Sequence, residues 1–134
     1  MRTALIFSIL AAGVASAPSF AHHAFAAEFD STKPMKLRGT VTKMDWINPH
    51  SWIHIEVKNA DGSTTKWMVE CGSPNTLYRR GFTKETLPKG SEILVDGYAA
   101  KDGSNKVNGR DVTFNDGKKL FLGSSAGEAV TGEK

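Results

Sequence analysis

An all-β domain with one short helix is the fold class this sequence predicts, and three observations predict it. From Lys36 onward, short segments rich in β-branched residues alternate with turn residues. A helical start occurs once, after the third such segment, where Ser73 reads as an N-cap and Pro74 takes the first helical position. Gly39 lies inside a first strand long enough to need a bend.

Each element follows in order. The first strand is Lys36 to Trp46, and Asn48-Pro49 ends it as a turn. Ser51 to Val57 alternates most clearly. Ile53, Ile55 and Val57 point one way, and Trp52, His54 and Glu56 the other. Asn59 to Gly62 makes a hairpin turn into a third strand, Thr64 to Cys71. Asn75 to Arg80 form the helix, and Gly81 stops it. Pro88-Lys89-Gly90 turns the chain into a strand from Glu92 to Ala99. Beyond the loop Lys101 to Asn105 come strands Val107 to Phe114 and Lys119 to Leu122, joined at Asn115-Asp116-Gly117. Three strands, a helix, then two or three strands is the chain order of an OB-fold. The expected architecture is therefore an OB-fold-like, five- to six-stranded Greek-key barrel, with a small β-sandwich as the alternative.

The start of the chain reads differently. Arg2 precedes an apolar run from Ala4 to Val14, and small residues follow. This is the order of a secretory signal, and the run falls short of the roughly 20 apolar residues that span a membrane. Ser19-Phe20-Ala21 offers a cleavage site before His22, whereas Ala15-Ser16-Ala17 is followed by Pro18, a poor substrate. The expected organisation is a cleavable signal over 1–21, an arm over 22–35, the barrel over 36–122 and a disordered polar tail over 123–134. The protein is expected in the periplasm, with no membrane span after cleavage.

Composition narrows the function. Loss of Arg2 takes the formal charge from +3 to +2, too small an excess for a nucleic-acid footprint. Cys71 is the single cysteine, so no internal disulfide can form. It reads as a small buried hydrophobe. No Ser-His-Asp set, Cys-x-x-Cys pair, phosphate loop or haem-attachment motif is present, and no enzyme is expected.

The four histidines carry most of the chemical information. An N-terminal His22 would offer a free amine and an imidazole to one ion, and a further imidazole would complete a site suited to copper. In this it resembles secreted copper proteins with an N-terminal histidine brace. His23 could serve through the adjacent amide instead. His50 and His54 alternate with Trp52 and share a strand face if Pro49 does not break it. The competing readings are a polar terminus and two solvent-facing histidines. Met44 and Met68 are soft in type, but methionine in a strand is more often core filler. Glu28, Asp30 and Asp45 either orient an imidazole or are ordinary surface charges.

His22-His23-Ala24-Phe25, Glu28-Phe29-Asp30, Lys33-Pro34, Leu37 to Val41 and Trp46-Ile47-Asn48-Pro49-His50 together resemble a family of small exported bacterial proteins known only as a domain of unknown function. The likeness extends through Glu70-Cys71 to Val107–Arg110. It implies export and this fold, and it brings no activity. Two functions are expected from the residues. The first is copper binding through His22, His23, His50 and His54. The second is a metal-free interaction module, with Phe25, Phe29, Trp46 and Trp52 as an aromatic surface for a periplasmic or membrane protein.

Overall fold

The computed structural model of the protein describes residues 25–123. Residues 25–28 are helical (α1), and the chain then enters β1 (Phe29–Asp45). β2 (Trp52–Lys58), β3 (Thr64–Glu70), α2 (Pro74–Arg79), β4 (Glu92–Ala100), β5 (Lys106–Phe114) and β6 (Lys119–Phe121) follow. The sheet runs β3-β2-β1-β4-β5-β6, and β3 also pairs with β5. That closing pair is parallel and joins Met68–Glu70 to Lys106–Asn108, whereas every other pair is antiparallel. Five strands thus form a nearly closed ring with α2 between β3 and β4, the OB-like barrel expected from the chain order.

β1 closes the ring because it serves two neighbours. Residues Pro34 to Thr40 pair with β4, and Thr40 to Asp45 pair with β2. Gly39 stands at the changeover, where a Cβ would lie 2.9 Å from the Glu56 carbonyl oxygen. Gly97 is tighter still. It borders an irregularity in the β4–β5 ladder, and a Cβ there would lie 2.2 Å from the Asn108 carbonyl oxygen. Only glycine permits backbones to approach so closely.

Alternation then fills the interior. Val41, Ile53, Ile55, Val69, Ile93, Val95, Val107 and Val112 are buried. Leu77, Phe82 and Leu87, from α2 and the loop after it, join the same cluster. The Ser73 hydroxyl caps α2 by accepting from the Thr76 amide at 3.3 Å. The turn before β4 is fixed to β1 by two hydrogen bonds. The Gly90 amide donates to the Val41 carbonyl at 2.7 Å, and the Val41 amide donates to the Ser91 carbonyl at 2.8 Å.

Three expectations need correction. The first strand begins at Phe29 rather than Lys36, so residues 29–35 belong to β1. Their sequence hides this, because Asp30 to Pro34 carry no apolar alternation and the pairing with β4 is irregular between Phe29 and Pro34. A second short helix, α1, precedes it. Gly123 is buried, and its carbonyl accepts from Arg80 Nη1 at 2.6 Å, which ties that residue to the barrel. The signal segment, His22, His23 and residues 124–134 lie outside the described residues.

Candidate functional site

The outer face of β1, β2 and β3 collects the polar residues that the core rejects. Trp52 sits between Asp45 on β1 and Glu70 on β3 in the strand register. His54 stands opposite Lys43 on one side and Met68 on the other. The predicted sharing of one outer face by Trp52 and His54 is what the burial pattern of β2 shows. His50 lies just before the strand.

Each histidine meets a carboxylate, on opposite sides of β2. His54 Nε2 lies 2.9 Å from Asp45 Oδ2. The Asp45 carboxyl is held below its usual range by bonds from Lys43 and then from His54. An ionised carboxylate only accepts, so His54 Nε2 carries the proton and Nδ1 remains over. His50 Nδ1 lies 3.1 Å from Glu70 Oε1, which leaves its Nε2 over. Carboxylate-bound imidazoles of this kind are common where histidine binds a metal, because the carboxylate fixes ring and tautomer.

The two couples have different surroundings. Asp45 also pairs with Lys43 at 3.0 Å, at the open surface. Glu70 is buried, and burial pushes its carboxyl up to about 7, with the nearby Glu28 charge adding to the rise and Lys106 opposing it. α1 is held at the β4–β5 loop, where Glu28 lines one pocket with Lys101 and Lys106. Lys101 fixes α1 in place, donating its amide to the Glu28 carbonyl at 2.8 Å and its ammonium to the Ala26 carbonyl.

Other predicted site residues separate. Phe29 is buried, and Phe25 packs against it and edge-on to Tyr98, so both aromatics hold the arm to the barrel. Trp46 stacks on Tyr78 with ring centres 5.1 Å apart and planes within 11°. Beside it, Ile47 and Tyr78 are 53% and 44% exposed. Cys71 is buried and free, and burial pushes its thiol well above the ordinary range. Met44 packs against the core.

Among the described residues, no three His, Cys, Asp or Glu side chains are grouped to hold a metal ion. His50 and His54 are each bound to a carboxylate on a different neighbouring strand. Glu70 was not foreseen as a histidine partner. The available sign was its register opposite Trp52, which becomes visible only once β2 and β3 are paired. No helix among the described residues is long and apolar enough to cross a membrane.

The sequence matches the model of a family of unknown function, DUF6152, over residues 10–109. No curated protein shows significant similarity to it.

Proposed function

The chain belongs to DUF6152, and we propose that this member is an exported copper-handling protein which binds rather than catalyses. The observation that carries the reading is the His50–Glu70 couple, in which the carboxylate orients the imidazole and leaves His50 Nε2 over as a ligand. The His22 terminus and the His23 imidazole would supply the further ligands. The negative charge that Glu28 exerts at Glu70 favours a cation there. His54, beside Lys43, stands outside this set.

Copper titration tests the reading on three samples: the chain beginning at His22, the same chain with one residue added before it, and His50→Ala. Tight one-to-one binding is expected in the first only, with His54→Ala unchanged. Equal binding by the extended chain removes the terminal amine from the site, and equal binding by His50→Ala removes the barrel.

The interaction reading keeps one specific support, the Trp46–Ile47–Tyr78 patch. Ile47 and Tyr78 are the large hydrophobics most open to solvent among the described residues. A protein partner would cover this end of the barrel, and Tyr78→Glu would abolish its capture without touching copper.

A further inference from the structure

A groove of about 510 Å³ crosses the outer flank of the barrel, from Thr42 and Lys43 over β2 and β3 to the β4–β5 loop. Its volume is within the range of small-molecule sites. Lys43, Lys66 and Lys106 line it, against one carboxylate, Glu56. Lys43 is bound to Asp45, Lys66 stands opposite Glu56 in the β2–β3 register, and Lys106 is felt by Asp102 and Glu70 from beyond ion-pair distance. The groove is therefore electropositive and disfavours a metal ion, although His54 and Met68 both reach it.

A second feature points to an acceptor. The Ser104 hydroxyl is shielded from solvent and has no hydrogen-bond partner. A buried unpaired hydroxyl is costly, and rotation of the Ser104 side chain into the groove it lines would let a ligand oxygen satisfy it. Its place is also favourable. Ser104 lines the same groove as Lys66, two residues before β5 begins with Lys106 opposite Met68. The Met68 amide donates to the Asn105 carbonyl at 3.0 Å, which holds the loop against the strand. Two ammonium groups and one hydroxyl thus gather at the loop end of the groove, while Met68 and Trp67 supply apolar wall.

We propose that this flank binds a small organic anion, its carboxylate or phosphate held by Lys66, Lys106 and the Ser104 hydroxyl and its apolar body lying over Met68. The excess of lysine over carboxylate suits one anionic head rather than a polyanion. The site contains neither His50 nor the arm histidines, so it stands or falls apart from the copper reading.

Calorimetric titration of the metal-free protein tests it, with decanoate and decyl phosphate as probes and decanol as the uncharged comparison, all below micelle formation. The expected result is saturable one-to-one binding of an anion, with decanol weaker by about tenfold. A preference between decanoate and decyl phosphate identifies the head group. Both lysines are exposed, so Lys66→Glu with Lys106→Glu should fold normally by circular dichroism and weaken the anion by about tenfold or more. Ser104→Ala should lower affinity several-fold. Absence of saturable binding overturns the proposal. So do binding that the double variant leaves unchanged, decanol binding as tightly as the anions, and a single-stranded oligonucleotide binding where the anions do not.

Discussion

Two histidine–carboxylate couples flank Trp52, alike in composition and opposite in behaviour. His54–Asp45 lies at the surface, where Lys43 joins it, and its carboxyl is held low. In His50–Glu70 the imidazole is a third exposed but the carboxylate is buried, and its carboxyl is pushed up to about 7. The lesson is that a partner does not set a carboxylate's charge by itself. Loss of water and a second carboxylate outweigh an imidazole 3.1 Å away, whereas an ammonium and open solvent reinforce one.

The largest test of this contrast is Glu70→Gln. A carboxyl with a raised native pKa stabilises the fold below its unfolded value, and that contribution is lost as pH rises through about 7. The wild-type protein should therefore lose stability between pH values near 4.5 and 7, on the order of 2–3 kcal/mol. Glu70→Gln should hold its stability level across that window and be the more stable protein at pH 8. Urea unfolding at the two ends measures this, and a wild-type curve that is flat or rises with pH would contradict the burial argument.

Cys71, the next residue along, sharpens the buried side with a smaller effect. Burial raises its thiol, and the Glu70 charge adds to the rise. The thiolate is the reactive form, so Ellman's reagent should leave the native protein unlabelled at pH 8 and label it fully in denaturant. Cys71→Ala should cost about 1 kcal/mol, as an ordinary loss of packing. Prompt native labelling would mean that this edge of the core opens.

Asp45→Asn is the smallest perturbation and tests the exposed side. A lowered carboxyl stabilises above its unfolded value and loses that contribution as pH falls through the native one. The variant should be slightly less stable than the wild type at neutral pH, and the difference should vanish as pH falls through the native value, because only the wild type loses the contribution there. A large loss at pH 7 would show that the two couples are more alike than their burial suggests.

Much of the barrel was legible because alternation is local. Ile53 and Ile55 show β2's inner face, Ser73-Pro74 shows the start of α2, and Gly39 marks the bend of β1. The first seven residues of β1 were not legible, since Asp30-Ser31-Thr32-Lys33-Pro34 is strand only by virtue of the partner β4. The site divides in the same way. Asp45 was a candidate orienting carboxylate from its nearness in sequence to the histidines, and it meets His54. Glu70, twenty residues beyond His50, arrives only through the β2–β3 register. Phe25 and Phe29 looked like surface aromatics because no periodicity records that a neighbouring strand end, at Tyr98, would cover them.

The short connection after β4 has two duties. Lys101 grips the first turn of the described chain by backbone and side chain, and a few residues later Ser104 and Lys106 form the rim of the flank groove. These two grips share a single brief span of backbone. A single stretch of six residues thus both holds the first described turn against the barrel and shapes one end of a surface groove, so loop substitutions there act on two parts of the surface at once.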